Sequence, residues 1–125
     1  MQTVVLVMQR KFVAEEIMRK AQANSGARII HVRNYDKALE CIISNNAGVA
    51  LIETPQSGEY DVSRCLDICA SLREKAPWCK LFLCCPDEDR PCIERVIAAQ
   101  RNMQIDDFLF YDTTTDYLIS KLLTQ

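Results

Sequence analysis

Glycine and histidine are both scarce in this chain. Only three of its 125 residues are glycine, and neither a G-x-G-x-x-G nor a Walker pattern is present. Phosphate-binding loops need glycine where the backbone approaches the ligand closely, so this scarcity argues against a nucleotide cradle of that kind. His31 is the only histidine. Zinc sites with paired Cys/His ligands and hydrolytic triads are therefore disfavoured as well.

The chain also lacks long hydrophobic runs and a strong excess of charge of either sign. Its longest apolar segments, TVVLVM and LFLCC, are far too short to cross a bilayer. A net charge of −2 gives no general attraction to nucleic acid or to acidic membranes. The N-terminus has no charged leader or cleavage site. We therefore expect a cytoplasmic protein that binds neither membranes nor, directly, nucleic acid.

Cysteine, in contrast, is abundant, with seven residues. A 125-residue chain that is 49% apolar buries a core large enough to need no disulfides. Free cysteines behave as small buried hydrophobes, so we predict reduced, structural cysteines. The vicinal pair Cys84–Cys85 leaves a thiol sensor open as a hypothesis. The acidic run at 87–89 argues against it, because negative charge raises a thiol pKa.

The hydrophobic pattern alternates between two periods along the whole chain. Continuous apolar runs predict five buried strands, at 3–8, 27–32, 48–53, 79–85 and 106–111. Helical spacing predicts five helices, at 10–24, 34–46, 61–77, 87–103 and 113–124. Apolar strands alternating with amphipathic helices predict a parallel sheet covered on both faces. The expected fold is a doubly wound, flavodoxin-like α/β sandwich of (βα)5 type, as one domain over 1–125.

Each predicted helix has an apolar stripe that we expect to face the sheet. The clearest stripes are Phe12, Val13, Ile17 and Ala21 in the first helix, Tyr35, Leu39, Ile42 and Ile43 in the second, and Leu118, Ile119, Leu122 and Leu123 in the last.

Function in doubly wound sheets gathers at the carboxyl ends of the strands. The third strand, VALIE, ends there in a lone acid, Glu53. Two interpretations stay open for it. Glu53 is either a solvated strand-end acid without a role, or a fixed negative charge with a signalling role.

On these landmarks the sequence resembles a receiver domain (CheY-like) of the two-component response regulators, over its whole length. VVLVMQ stands where the family has an apolar strand that ends in two acids, and VALIE where a strand ends in the phosphoacceptor aspartate. LFLCC stands at the Thr/Ser-Ala segment, and DDFLFYD at the Asp-Tyr-Leu-x-Lys-Pro segment. The resemblance implies a receiver-like fold and a role in phosphorelay-type signal transduction.

Every chemical position departs from the family pattern. The resemblance places Met8 and Gln9 at the metal-binding acids, Glu53 at the phosphoacceptor, Cys84 at the switch hydroxyl and Tyr111 at the lysine. A thioether and an amide are poor ligands for Mg²⁺, and a thiol is a weak partner for a phosphoryl oxygen. Phosphoryl transfer depends on positioning and charge neutralisation. We therefore predict a pseudo-receiver, which is not an enzyme and has no catalytic residue, metal or cofactor.

The resemblance also implies an output surface on the fourth helix, fifth strand and fifth helix. Phe108 aligns with the aromatic switch position there. We expect a protein partner on this surface, and a homodimer stays open, as does an output domain after Gln125. The surface charges Glu94, Arg95, Arg101, Asp116 and Lys121 either recognise that partner or form a solvated face.

An alternative function is a flavodoxin-like module that binds a small molecule or nucleotide. It would use the loop at 54–60, where Ser57 and Gly58 follow the third strand. The lack of a glycine-rich phosphate motif argues against it.

Overall fold

A computed structural model describes residues 2–55 and 61–124 of the chain. Within them, strands and helices alternate. The strands are β1 (Thr3–Val7), β2 (Arg28–Val32), β3 (Val49–Glu53), β4 (Lys80–Cys85) and β5 (Asp107–Phe110). The helices are α1 (Lys11–Ser25), α2 (Ala38–Ser44), α3 (Val62–Lys75), α4 (Arg90–Arg101) and α5 (Thr115–Leu123), and a short 3-10 turn, Tyr35–Lys37, precedes α2. Of the helices in these ranges, none combines the length and the apolar character that a membrane span requires.

The strands form one parallel sheet in the order β2-β1-β3-β4-β5. The order reverses between β1 and β3, so helices cover both faces, as right-handed crossovers require. The predicted doubly wound (βα)5 fold is confirmed. Each predicted strand boundary lies within one residue of the observed one, because an apolar run stops where the buried strand does.

Side chains alternate along the strands and divide the core into two clusters. On the face covered by α1 and α5, strand residues such as Leu6, Leu51 and Phe82 meet Ile17 and Leu118. We call this the α1/α5 face. The other face, which we call the α3/α4 face, also carries α2 and holds Val7, Ile52, Leu83, Cys69 and Val96 among other residues. The seven cysteines are all free, and every one except the partly exposed Cys41 is buried.

Local signals explain where the helices begin and end. Gly26 has a φ of 68° and closes α1 in the left-handed conformation that glycine adopts without strain. Asp61, Asp89 and Thr114 each accept a hydrogen bond from a backbone amide in the first turn of α3, α4 and α5, respectively. Pro91 lies in the first turn of α4, where its missing amide costs nothing.

Two predicted core residues are exposed instead. Phe12 is 84% exposed and Ile43 is 42% exposed. The inward stripe of α1 follows Ala14, Ile17 and Ala21. At about 100° per residue, Phe12 falls on the opposite side of the helix from that stripe. The apolar character of Phe12 suggested the core, but the register of the helix decides its direction.

Candidate functional site

Glu53 lies at the carboxyl edge of the sheet and is buried, with 1% of its surface exposed. Its Oε1 accepts hydrogen bonds from the backbone amides of Gln9 at 3.1 Å and Arg10 at 3.3 Å. Its Oε2 accepts a hydrogen bond from Nε of Arg10, in a direct ion pair. The interpretation of Glu53 as a solvated strand-end acid is therefore wrong. The loop after β1, which neighbours β3 in the sheet, covers the carboxylate and satisfies it.

Arg10 provides the positive charge of this site. Its guanidinium carbon lies 3.7 Å from the centroid of the Tyr111 ring, a cation–π geometry, and Nη2 approaches Sγ of Cys84 at 3.8 Å. Burial by itself lowers the pKa of Arg10, but the hydrogen bond and the negative charge of Glu53 raise it above its ordinary value. The Arg10 guanidinium therefore keeps its positive charge beside the Glu53 carboxylate.

Two tyrosine hydroxyls hold the end of β3 in place. The hydroxyl of Tyr35 donates to the carbonyl of Glu53 at 2.6 Å, and that of Tyr111 donates to the carbonyl of Thr54 at 2.6 Å. Burial, supported by the charge of Glu53, raises the pKa of both phenols. Both phenols therefore remain protonated donors, and the backbone on either side of the Glu53–Thr54 bond is fixed.

Some of the other predicted site residues lie beside the Glu53–Arg10 pair, and others do not. Met8 is fully buried in the cluster on the α1/α5 face, and its carbonyl accepts a 2.9 Å hydrogen bond from Nε2 of His31. The side chain of Gln9 is exposed. Cys84 is buried beside Arg10, and burial raises the pKa of its thiol to about 12. Phe108 is half-buried and packs edge-to-face on Phe110, with ring centroids 5.6 Å apart.

Comparison with known proteins identifies the fold. No family model and no curated protein sequence matches this chain. A receiver domain protein from Clostridium thermocellum superposes with a TM-score of 0.79 at 11% identity, over 99% of this chain and 93% of that one. The receiver domain of Francisella response regulator 1452 gives 0.77 at 20% identity, over 99% and 95%. This chain has the receiver fold.

A third receiver structure is informative for the site. Response regulator TrrA from Thermotoga maritima, solved in complex with Mg²⁺ and BeF, superposes with a TM-score of 0.73 at 17% identity, over 97% of this chain and 96% of that one. Identities this low establish a shared fold, whereas function has to be argued from the residues of the site.

The residues of this receiver fold do not fit Mg²⁺. Magnesium prefers oxygen ligands in octahedral geometry. Met8 offers a buried thioether, and the carboxylate of Glu53 is already taken by Arg10 and two backbone amides. In residues 2–55 and 61–124, no group of three or more His, Cys, Asp or Glu side chains is arranged to hold a metal ion. The guanidinium of Arg10 supplies the positive charge that this carboxylate needs.

Arg10 is the residue whose role sequence reasoning missed. The resemblance to receiver domains puts the family's lysine at Tyr111. Because tyrosine carries no positive charge, no cation was expected at this site. Tyr111 instead lies under the guanidinium of Arg10, which reaches the site from the loop after β1. A signal was present in the sequence, because β1 and β3 are neighbours in this fold and the basic residue Arg10 lies three residues after the end of β1.

A broad open depression of about 680 Å³ adjoins the site and is lined by Gln9, Arg33, Asn34 and Asp36. Its lining carries both signs of charge and has little apolar surface. The alternative ligand site at 54–60 rests mainly on Ser57 and Gly58, and residues 56–60 lie outside the described part of the chain.

Proposed function

We propose that this chain is a receiver-like signalling domain of the response-regulator type that works without phosphorylation and through contact with another protein. The observation that carries the proposal is the saturation of the Glu53 carboxylate by Arg10 and two backbone amides. In this proposal the domain is not an enzyme. The ion pair fixes the loop after β1 against the end of β3.

The chemistry of phosphoryl transfer supports this proposal. A carboxylate that attacks phosphorus needs a free oxygen, a metal ion and a cation on the incoming phosphoryl group. Glu53 is 1% exposed and both of its oxygens accept hydrogen bonds. Freeing it would break an ion pair and leave a buried charge uncompensated, at a cost of several kcal/mol. Glutamate also carries its carboxylate one methylene further from the backbone than aspartate does.

The buried ion pair also changes the hypothesis of a fixed negative charge. Arg10 neutralises Glu53, and Tyr111 covers the guanidinium, so the negative charge does not reach the surface. We propose that the pair acts through position rather than through exposed charge. The signal that this domain gives is one fixed arrangement of the carboxyl edge, in place of two that phosphorylation would interconvert.

The surface formed by α4, β5 and α5 is the proposed contact surface. Asp107 of β5 links its elements, because it accepts one hydrogen bond from Gln100 of α4 at 3.0 Å and pairs with Lys121 of α5 at 2.7 Å. Met103, just past α4, is 80% exposed, and Tyr117 in α5 is 57% exposed. Exposed apolar side chains among charges are a usual composition for a protein contact.

The phosphorylation part of the proposal is tested with acetyl phosphate and Mg²⁺, with intact mass as the readout. We expect no gain of a phosphoryl group. Beryllofluoride with Mg²⁺, followed by fluorine NMR, is the second probe, and TrrA from Thermotoga maritima is the positive control, since its structure contains that complex. Stoichiometric phosphorylation of this chain that is lost in Glu53→Gln would overturn the proposal.

The contact surface is tested separately by self-association in sedimentation velocity. A homodimer on this surface should dissociate in Met103→Asp and persist in Trp78→Asp, because Trp78 is similarly apolar and exposed but lies between α3 and β4. The opposite pattern would place the contact elsewhere.

A further inference from the structure

Two cysteines and a threonine form a cluster at the carboxyl edge, on the α3/α4 face. Cys85 is the last residue of β4, and Cys92 lies in the first turn of α4. Both belong to the same buried cluster, a hydrogen bond between the two thiols is the largest influence on the pKa of each, and Oγ1 of Thr54 lies 3.4 Å from Sγ of Cys92. Cys84 points to the α1/α5 face instead. The vicinal pair considered from the sequence is therefore not a pair in space, and Cys92 is the partner of Cys85.

Cys92 also lines an open depression between the starts of α3 and α4. The depression measures about 310 Å³, and Pro55, Val62, Asp89 and Arg95 contribute to its wall. Cys92 itself is 6% exposed. Cys92 therefore borders open space on this side, whereas Cys85 is fully buried.

The surroundings of Cys92 favour its thiolate. The hydrogen bond with Cys85, assisted by the Thr54 hydroxyl and the charge of Arg95, lowers the pKa of Cys92 to about 7, although burial and Asp89 oppose the shift. The pKa of Cys85 is raised, chiefly by the same hydrogen bond. Burial raises the pKa of Cys65, Cys69 and other core thiols, which makes them poor nucleophiles.

We propose that Cys92 is an oxidant-sensitive thiol and that Cys85 is its resolving partner, with a peroxide as the oxidant. The Cys92 thiolate attacks one peroxide oxygen and the O–O bond breaks. The leaving oxygen takes up a proton, and Cys92 becomes a sulfenic acid. The Cys85 thiol then attacks that sulfur, the S–S bond forms, and hydroxide leaves with the proton of Cys85 as water. Two thiols lose two electrons and the peroxide gains them.

The disulfide would tie the first turn of α4 to the end of β4. α4 is part of the proposed contact surface, so oxidation would alter the position of that surface relative to the sheet. This consequence rests on the proposed function, whereas the thiol chemistry stands independently of it.

Peptide mapping of the reduced wild-type chain after limited hydrogen peroxide treatment tests the proposal. We expect a Cys85–Cys92 disulfide, detected as the loss of two hydrogens from the linked peptides. Reduced Cys92 and Cys85 should disappear together, at least about tenfold faster than the other buried cysteines. First oxidation at the more exposed Cys41, or unmodified Cys92 when other thiols have reacted, would overturn the proposal.

Variants separate the two roles. Cys85→Ser should trap the sulfenic acid on Cys92, where dimedone captures it, and Cys92→Ser should abolish both products. Cys84→Ser is the matched control, because Cys84 is adjacent in sequence but faces the other side of the sheet, and it should leave the disulfide intact. Dimedone capture on Cys92 in the wild-type chain without a disulfide would overturn the role of Cys85.

Discussion

The two faces of the sheet end differently at the same edge. On the α1/α5 face, Glu53 and Arg10 form an ion pair covered by the ring of Tyr111. On the α3/α4 face, one residue further along β3 and β4, Thr54 and Cys85 meet Cys92 through a hydroxyl and two thiols. Because side chains alternate along a strand, one step in sequence separates a charged cluster from a thiol cluster.

The two clusters differ in how completely their polar groups are hydrogen-bonded. In the charged cluster, both oxygens of the Glu53 carboxylate accept hydrogen bonds. This acid joins the loop after β1 to the end of β3. The thiol cluster borders an open depression, which Cys92 lines. The Glu53 carboxylate is therefore closed off by its own partners, whereas the thiol cluster adjoins an open depression.

The largest expected effect comes from removing the cation. Arg10→Met keeps most of the side-chain stem and leaves Glu53 buried with two backbone donors. The Arg10 side chain is 31% exposed, so we expect a loss of about 2–4 kcal/mol in the free energy of unfolding, somewhat below the cost for a fully buried pair. Urea denaturation measures it, with the exposed Arg33→Met as control. A loss below about 0.5 kcal/mol would mean that the ion pair does not hold this edge.

The buried thiol of Cys84 should make the free energy of unfolding depend on pH in the alkaline range. The pKa of Cys84 rises in the fold from 9.0 to about 12. Because the folded protein holds this proton more tightly than the unfolded chain does, the thiol contributes stability that is fully present below about pH 9. That contribution is lost as the pH rises towards 12. Between pH 9 and 11, the free energy of unfolding of Cys84→Ala should therefore fall less steeply than that of wild type, by about 1.4 kcal/mol per pH unit. Equal slopes would contradict the shift.

Tyr111 makes two contacts that a pair of variants can separate. Tyr111→Phe loses the hydrogen bond to the Thr54 carbonyl and keeps the ring beneath Arg10, so we expect a loss of about 1–2 kcal/mol. Tyr111→Leu loses the ring as well, and a further 0.5–1 kcal/mol or so should follow. Thermal and urea unfolding give both values. If the two variants are equally stable, the ring contributes nothing to holding Arg10.

The smallest expected change in stability comes from breaking a surface ion pair on the α1/α5 face. Lys20 of α1 and Asp116 of α5 lie 3.2 Å apart, and the Asp116 side chain is 81% exposed. A double-mutant cycle should give a coupling of no more than about 0.5 kcal/mol, lower still in high salt. A coupling as large as that of Arg10 and Glu53 would show that burial does not set the difference between these pairs.

The fold was predictable because its signals are local. Continuous apolar runs predicted the strands to within one residue. The prediction that Phe12 faces the core was wrong, because it followed the apolar character of the residue and not the register of the helix. The different directions of Cys84 and Cys85 were also available in the sequence, since neighbouring residues of a strand face opposite sides.

The site was predictable only in part. The position of Glu53 at the tip of a central strand was correct, but its surroundings depend on Arg10, 43 residues away in sequence. Tyr111 was interpreted as a lost lysine, and its actual contact is with the arginine that supplies the charge. Cys92 stands seven residues after Cys85, on another element, and their contact follows from how α4 packs on the sheet.

Backbone amide NMR during a Mg²⁺ titration tests the central claim most directly. The amides of Gln9 and Arg10 donate to Glu53 and would report any metal that displaces them. If Arg10 has taken the place of a metal, both signals stay unchanged through millimolar Mg²⁺, and the Arg10 side-chain Nε proton remains protected. Saturable shifts of the two amides together with release of that proton would contradict the account.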